Sequence, residues 1–195
     1  MIFNRQEKVD YHIHTYYSDG SLSPAEVVTR FKNLGYESIA ITDHDGVGGV
    51  AEGKLPKGAG VLGIDVSKYQ GTIDWTRVKN SGIKFVIIRC GYRGWGSGAL
   101  VRDPNFDSYI KGAEAVGLDV GIYFFSQAIN EKEAIEEASF IVECAKGHNV
   151  KLPLFIDIET SGGNGDGRAD KISYAQRTAV AKAAYTAFRV WKNRH

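Results

Sequence analysis

Two carboxylates follow one apolar stretch of the chain, LPLFIDIET, in which Asp157 and Glu159 stand two positions apart. Alternate residues of a strand point to the same face, so both side chains are expected to project together. Burial and mutual repulsion raise the pKa of one member of such a pair, which suits it to act as a general acid. The other carboxylate can then act as base, nucleophile or electrostatic partner in glycoside hydrolysis. Taken alone, D-x-E is more often a structural pair of solvated acids.

A third carboxylate, Asp65, ends the apolar stretch of GIDVS, and aromatic residues accompany all three acids. Aromatic faces at strand ends suit sugar rings, and packing in the core is the alternative. The candidate substrate-binding aromatics are Tyr69, Tyr92, Trp95, Tyr123 and Phe125.

A separate group of residues near the N-terminus has the chemistry of a metal site. His12 and His14 stand two apart in VDYHIHTYYSDG, Asp19 follows, and His44 lies in IAITDHDG. Imidazole and carboxylate ligands at converging strand ends suit zinc, manganese or iron, and a divalent ion there could activate water for hydrolysis. Surface histidines that cap a strand are the alternative interpretation.

Short apolar runs that alternate with amphipathic helical patterns must position these groups. Because strand and helix alternate six times, the sequence predicts an α/β fold of parallel strands, either a TIM-barrel-like six-stranded barrel or a partial one. Sites in such folds lie at the carboxyl ends of the strands. The predicted strands are Val9–His14, Ser38–Thr42, Val61–Val66, Phe85–Cys90, Val120–Phe125 and Leu154–Ile158.

Capping residues mark where the predicted helices begin. Ser23 with Glu26, and Ser173 with Gln176, form two capping boxes, and Asp103 and Asn130 are the other predicted N-caps. Apolar periodicity predicts that Ile135 and Tyr185 face the core.

Composition excludes several classes of protein. The 195 residues carry 24 basic and 23 acidic side chains, a net charge of +1 that favours neither a nucleic-acid nor a membrane partner. No apolar run approaches the ~20 residues needed to cross a bilayer, and MIFNRQEKVD is too polar for a signal peptide, so we expect cytoplasmic localisation on expression. The two cysteines, Cys90 and Cys144, are predicted to be buried free thiols.

The first 56 residues resemble the polymerase-and-histidinol-phosphatase (PHP) family of metal-dependent phosphoesterases. The similarity lies in VDYHIHTYYSDGSLSPAEVV and IAITDHDGVGGVAE. It implies that His12, His14, Asp19 and His44 are inherited ligand positions. It stops near residue 53, before the family's further ligands, so we expect at most one weakly held divalent ion.

Residues from about 60 to 188 resemble family 25 glycoside hydrolases, the muramidase-type lysozymes. The matching stretches are GIDVSKYQGTIDW, KFVIIRCGYRG, DPNFDSYIKGAEAVGLDVGIYFFS and LPLFIDIE. The resemblance implies that Glu159 is the catalytic acid, Asp157 its partner and Asp65 a supporting carboxylate. It implies peptidoglycan as substrate and no required cofactor. The family's later strands have no counterpart here, so activity is expected to be weak or lost.

The two resemblances together predict a chimera, most simply an engineered one, with a PHP-like fragment over residues 1–56 and a truncated hydrolase-like fragment over 57–195. We expect both to pack as one α/β domain, with homodimerisation through exposed sheet edges. Three functions remain open at this point: a muramidase, a metal-dependent phosphoesterase, and a recombined scaffold without turnover.

Overall fold

The computed structural model describes residues 9–13, 15–16, 21–36, 38–41, 63–161 and 165–192. Two short 3₁₀ helices, at Lys68–Gln70 and Arg168–Lys171, accompany the strands and α-helices given next. The strands are β1 Val9–Ile13, β2 Ser38–Ile41, β3 Gly63–Val66, β4 Phe85–Arg93, β5 Leu100–Arg102, β6 Asp119–Phe125 and β7 Val150–Asp157. The helices are α1 Pro24–Asn33, α2 Trp75–Asn80, α3 Phe106–Ala115, α4 Glu131–Ala145 and α5 Tyr174–Lys192.

The chain divides into two compact units. One comprises Met1–Asp65 and Asp74–Val86, and the other comprises Val66–Ile73 and Ile87–His195. In the first unit β1 and β2 pair in parallel, with Val9 beside Ser38.

Helix α1 of the first unit begins and ends where its sequence predicts. The Ser23 hydroxyl accepts a hydrogen bond from the Glu26 amide at 3.2 Å, and the Glu26 carboxylate accepts one from the Ser23 amide at 2.8 Å. This capping box satisfies amide groups that have no partner within the helix. Gly35 follows the helix at φ 79°, a left-handed conformation that glycine adopts without steric cost.

A five-stranded sheet carries the order β3-β4-β6-β7, with β5 beside β4. Strands β6 and β7 are parallel, whereas β5 runs antiparallel to β4. The predicted α/β class with a mostly parallel sheet is confirmed. Strand β5 was not predicted, because three residues are too few to show an alternating pattern. Strands β4 and β7 are longer than predicted and reach Arg93 and back to Val150.

The core of the second unit lies between the sheet and its helices. The Phe124 ring of β6 meets Phe140 of α4 edge-on, with ring centroids 5.4 Å apart. Even-numbered residues at the end of β6 therefore face the helix layer. Fully buried apolar side chains on both sides of this contact are Ile88, Val120, Ile122, Phe124, Phe106, Ile110 and Ile141.

Three details of the predicted helices are wrong. Helix α3 begins at Phe106 rather than directly after Asp103, and Asn105 occupies the N-cap position. Ile135 is 48% exposed and Tyr185 is 63% exposed. Each lies one residue beyond the buried stripe of its helix, which passes through Ala134 in α4 and Ala184 in α5, and one residue turns the helix by about 100°.

Other local predictions agree with the structure. Asn130 accepts a hydrogen bond from the Glu133 amide at 3.0 Å, and the Ser173–Gln176 capping box forms. Cys90 and Cys144 are buried free thiols, as predicted. Within the described residues, no helix combines the length and the apolar character of a bilayer-spanning segment.

Close packing around β4 generates a stability prediction. A Cβ atom added at Gly91 would lie 2.5 Å from the Val101 carbonyl oxygen and 2.8 Å from the Phe140 ring, whereas one added at Gly96 would meet no atom within 4 Å. Since backbone cannot move as freely as a side-chain tip, we expect Gly91→Ala to lower the free energy of unfolding by about 2 kcal/mol. Urea titration followed by circular dichroism measures the change.

Gly96→Ala is the matched control and should leave the urea midpoint unchanged. Equal midpoints for both variants would contradict the packing described at β4.

Candidate active site

A buried ion pair joins the ends of β4 and β6 to helix α4. The Arg93 Nε atom donates to Glu137 Oε1 at 2.8 Å, and the Ser126 hydroxyl donates to Glu137 Oε2 at 2.6 Å. Arg93 ends β4 and Ser126 follows β6, so a single carboxylate brings the two strand ends together. The Glu137 side chain is 0% exposed and that of Arg93 is 4% exposed, which removes both charges from water.

The other two guanidinium nitrogens of Arg93 also donate hydrogen bonds. Nη1 donates to the Gly98 carbonyl at 2.7 Å, and Nη2 donates to the Glu133 carbonyl and the Glu136 carboxylate, each at 3.1 Å. Burial raises the pKa of Glu137, and the bonds from Ser126 and Arg93 oppose that rise. A buried pair is tolerable when such additional hydrogen bonds complete it.

The end of β7 is fixed against β6. Phe125 pairs with Asp157 in the parallel register, and the Ser126 amide donates to the Asp157 carbonyl at 2.8 Å. Asp157 is the last residue of β7, so its backbone position depends directly on the residue that bonds Glu137. The ends of β4, β6 and β7 therefore meet at one edge of the sheet.

The loop after β7 returns to the loops after β4 and β6. The Arg168 guanidinium binds the Glu133 carboxylate through two bonds, of 2.7 and 2.9 Å, and the Arg168 amide donates to the Trp95 carbonyl at 3.1 Å. Asp170 accepts bonds from the amide and hydroxyl of Ser161, two residues beyond Glu159. The loop that carries Glu159 is thus held at both of its ends.

Two carboxylates of this loop network stay ionised. Burial raises the pKa of Glu133, but hydrogen bonds from Arg168 and the Ile129 amide outweigh it, so the pKa lies below its usual value of 4.5. Burial likewise raises the pKa of Asp170, and the bonds from Ser161 and the Gly167 amide bring it below 3.8. Each shift means that folding favours the charged form.

Side-chain alternation decides which face carries the paired acids. Ile156 and Ile158 pack against the buried cluster of Ala128, Ala134, Val180 and Ala184, on the helix side of the sheet. Alternate residues point oppositely, so Asp157 lies on the other face, and the same alternation predicts that Glu159 projects with it. Both carboxylates are half-buried.

Two predicted aromatics share that face. Tyr123 pairs with Phe155 and Phe125 with Asp157 across the β6–β7 ladder, and paired residues of neighbouring strands point to the same side. Tyr123 is 8% exposed and Phe125 is half-buried. The aromatic surface beside Asp157 therefore consists mainly of the Phe125 ring.

Strand β4 changes its alternation before it ends. A Cβ atom on Gly121 would meet Ile87, so Ile87 lies on the Tyr123 face. Arg89 lies two residues later and contacts Tyr92, with its Cζ atom 5.4 Å from the ring centroid. Gly91 and Arg93 instead contact α4. The alternation of side chains along β4 is therefore displaced by one residue between Arg89 and Tyr92. As a result, both of these side chains lie on the same face of the sheet as Asp157.

A cluster of cations and tyrosines stands at this part of β4. Lys68 Nζ lies 5.2 Å from the Tyr69 ring centroid and 5.1 Å from that of Tyr92, and Arg89 contacts the same two rings. Asp103 neutralises Arg89: its Oδ2 accepts from Arg89 Nε at 2.9 Å and from the Lys68 amide at 3.0 Å.

Asp103 therefore orders the Lys68–Gln70 segment. Its Oδ1 accepts from the Asn105 amide at 3.0 Å in the turn before α3, but the N-cap of that helix is Asn105 and not Asp103 as predicted. Arg89 Nη2 is 2.8 Å from Asp103 Oδ2, but this is an ionic contact without hydrogen-bond geometry, and no other described group accepts from it. The short distance between this nitrogen and the carboxylate oxygen still makes the contact an ion pair, because the attraction between two charges does not depend on the bond angle.

The other predicted site residues lie as follows. Asp65 is half-buried in β3. Tyr69 is 70% exposed and Trp95 is 63% exposed, so both rings are accessible to a ligand. His12 lies in β1, and nothing further is described of its side chain; His14, Asp19 and His44 lie outside the described residues. No group of three metal-binding side chains occurs in the part of the chain that the structure describes.

Sequence reasoning missed the charged residues that hold the site together. Arg89 and Arg93 interrupt the apolar run FVIIRCGYR, and charged residues in a buried strand indicate buried partners. Their partners, Asp103 and Glu137, lie 14 and 44 residues away in the chain. No local pattern identifies a pair at such separations.

The chemistry open to this arrangement is acid–base chemistry on a sugar-like ligand. It combines a carboxylate pair at a strand end, an aromatic ring beside Asp157, and two exposed rings on the loops after β3 and β4. Such a constellation at the carboxyl end of an α/β sheet is the type of arrangement that glycoside hydrolysis needs.

Comparison with known proteins identifies the family. The sequence profile of Glycosyl hydrolases family 25 matches residues 64–195, which is more than half of the chain. The chain therefore belongs to glycosyl hydrolase family 25.

Individual relatives are consistent with this assignment. The chain is 32% identical to Lysozyme M1 of Streptomyces globisporus over 104 residues, which cover 52% of this chain and 33% of that protein. It is 26% identical to the bacterial lysozyme of Streptomyces coelicolor, with a TM-score of 0.53 over 68% of this chain and 59% of that one.

A shorter stretch of the chain is similar to a protein that is named as a phosphatase and not as a lysozyme. Over 44 residues, the chain is 46% identical to the 3′,5′-nucleoside bisphosphate phosphatase of Chromobacterium violaceum, which covers 23% of this chain and 15% of the phosphatase. The chain thus spans only part of the length of each of these relatives.

Breaking the buried ion pair gives a second prediction. Arg93→Met leaves the Glu137 carboxylate buried without its cation, and we expect the free energy of unfolding to fall by about 3–5 kcal/mol. The double variant Arg93→Met/Glu137→Leu removes both charges and should recover a large part of that loss. Chemical denaturation of the two variants measures the difference, and a double variant no more stable than the single one would contradict the paired role of the two charges.

The Glu133–Arg168 contact gives a pH prediction. Because the pKa of Glu133 is lower in the folded state than in the unfolded state, its contribution is fully present above the unfolded value near 4.5 and is lost as pH falls through the folded value. Glu133→Gln should therefore destabilise the protein by about 2 kcal/mol at pH 7 and by progressively less below pH 4.5.

Thermal unfolding of the wild type and of Glu133→Gln between pH 3 and 7 measures this difference. Lys132→Gln, on the exposed side of the same turn, serves as the control and should show no such trend. A Glu133→Gln deficit that stayed constant across this range would contradict the pKa shift.

Proposed function

We propose that this chain carries the muramidase-type glycoside hydrolase site of its family and that its substrate class is the glycan of peptidoglycan. The observation that supports the proposal most directly is the family match over residues 64–195, which includes Asp157 and Glu159 at the end of β7. Relatives named lysozymes support the substrate class.

The proposed roles of the three acids are those that the family resemblance implies. Glu159 donates a proton to the leaving glycosidic oxygen, and Asp157 stabilises the positive charge that develops on the sugar. Asp65, in β3, is a supporting carboxylate. Phe125 beside Asp157, and the exposed Tyr69 and Trp95, are the surfaces on which sugar rings would stack.

The charged network supports this role indirectly. Asp157 is fixed through Ser126, whose hydroxyl binds the buried Glu137–Arg93 pair. Glycosidase chemistry needs its two carboxyl groups held at a defined separation, because that separation determines whether water or a carboxylate attacks the sugar. A rigid strand end meets that need better than a loop alone.

Activity that is weak or lost remains part of the proposal. The chain spans 33% of the length of Lysozyme M1 and 59% of the Streptomyces coelicolor lysozyme. We also propose that the chain is a chimera in which residues 1–56 derive from a PHP-type phosphoesterase. The short match to a phosphatase favours it.

The second candidate function is a metal-dependent phosphoesterase at His12, His14, Asp19 and His44. It is favoured by the same phosphatase match. The third candidate is a protein that catalyses neither reaction and retains only remnants of the two sites.

The test of the first proposal is loss of turbidity in a suspension of purified bacterial cell walls. Glu159→Gln keeps the size of the side chain but removes the proton donor, and we expect the rate to fall at least about 100-fold. Glu143→Gln, at an exposed position of α4, is the matched control and should retain the wild-type rate.

Equal rates for wild type and Glu159→Gln would overturn the proposed role of Glu159. Hydrolysis of a generic phosphate ester with added manganese or zinc, lost on His12→Ala, would instead support the second candidate. Purified protein that contains no divalent metal by elemental analysis and cleaves neither substrate would support the third.

A further inference from the structure

The two cysteines of this chain meet where strand β4 packs on helix α4. Cys90 lies in β4, and its neighbour Gly91 packs so closely on α4 that an added Cβ atom would lie 2.8 Å from Phe140. Phe140 is one helical turn before Cys144. The packing therefore places Cys90 and Cys144, 54 residues apart in sequence, next to each other across the β4–α4 contact, and each thiol influences the pKa of the other.

A cation completes the cluster. Arg102 of β5 pairs with Gly91 in the antiparallel ladder, and its Nη1 atom donates to Cys144 Sγ at 3.1 Å. The same guanidinium is held by Asp107, through Nη2 to Oδ1 at 2.6 Å, and lies over the Phe106 ring at 5.0 Å. Its position on the sulfur is therefore fixed by two neighbours and is not that of a free surface side chain.

We infer that Cys90 and Cys144 form an oxidisable dithiol, a site at which a hydroperoxide produces a reversible disulfide between β4 and α4, with Arg102 as the cation that activates Cys144. This site lies apart from Asp157 and Glu159 in sequence and chemistry, and it does not depend on the proposed glycosidase activity.

The electrostatic surroundings assign different roles to the two sulfur atoms. The hydrogen bond from Cys90 and the positive charge of Arg102 hold the pKa of Cys144 below its usual value, although burial and the Asp107 carboxylate oppose them. Burial raises the pKa of Cys90 well above its usual value. The thiolate is the reactive form, so Cys144 attacks first and Cys90 is the resolving thiol.

The chemistry balances in two steps. The Cys144 thiolate attacks one oxygen of hydrogen peroxide, the O–O bond breaks, and sulfenic acid and hydroxide form. The Cys90 sulfur then attacks the sulfenic sulfur, and hydroxide leaves and takes the Cys90 proton as water. Two thiols are oxidised by two electrons, one peroxide is reduced to two waters, and an external thiol reverses the reaction.

The burial of the two cysteines allows only a small oxidant to reach them. Cys90 is 0% exposed and Cys144 is 3% exposed, which excludes bulky disulfides from the folded protein. The Arg102 side chain that binds Cys144 is 44% exposed, so the cluster lies close to the protein surface, which favours a molecule of the size of hydrogen peroxide over a larger oxidant.

The disulfide would join two elements that already share the Arg93–Glu137 pair. Because the bond would close a loop of more than 50 residues, it should stabilise the folded state against unfolding. We therefore expect the oxidised protein to melt at a higher temperature than the reduced protein.

The experiment treats folded protein with hydrogen peroxide and measures intact mass without reductant. We expect a loss of about 2 Da, a Cys90–Cys144 cross-linked peptide, and full reversal by dithiothreitol. In Cys90→Ser the resolving thiol is missing, so a cyclic 1,3-dione should trap a sulfenic acid on Cys144. In Cys144→Ser, Cys90 should remain reduced.

Arg102→Gln and Arg102→Lys separate activation from mere proximity. We expect Arg102→Gln to slow the oxidation of Cys144 roughly threefold or more, and Arg102→Lys to retain most of the wild-type rate, with circular dichroism confirming that each variant is folded. Disulfide formation only after unfolding in guanidinium, or equal rates in the Gln and Lys variants, would overturn the inference.

Discussion

The buried contact between Arg93 and Glu137 is the constraint on which the geometry of the strand ends depends. Removing both charges from water costs several kcal/mol, and the cost is offset because all three guanidinium nitrogens donate hydrogen bonds and both oxygens of the carboxylate accept them. These hydrogen bonds connect the end of β4, the residue after β6, the turn that follows β4, and helix α4. Satisfying one ion pair therefore aligns the secondary structure from which the site is built.

The position of the acid pair follows from that alignment. Ser126 connects the ion pair to the backbone of Asp157, and the apolar neighbours Ile156 and Ile158 direct the intervening acid away from the helices. The change of alternation in β4 does the same for Arg89 and Tyr92. One face of the sheet thus collects acids, a cation and aromatic rings, while the other face packs on the helices through apolar side chains and the Arg93–Glu137 pair.

Much of the local structure was predictable because it depends on neighbours in sequence. The caps at Ser23, Asn130 and Ser173 need partners only three residues away, and the buried strands show as unbroken apolar runs. The family resemblance and the choice of Asp157 and Glu159 as candidates likewise came from contiguous motifs. Asp103 shows the opposite case: one of its carboxylate oxygens does accept from the Asn105 amide beside the helix start, but the other binds an arginine 14 residues earlier in the chain, which no local pattern indicates.

The sequence by itself determined the α/β class, the helix starts after Ser23, Asn130 and Ser173, and the candidate carboxylates. Only the tertiary structure decided which face each side chain occupies and which charges meet, including Arg93 with Glu137 and Arg102 with Cys144. The physical reason is range. Periodicity and capping are interactions over a few residues, whereas a buried charge is stable only beside a partner that the folded chain brings to it.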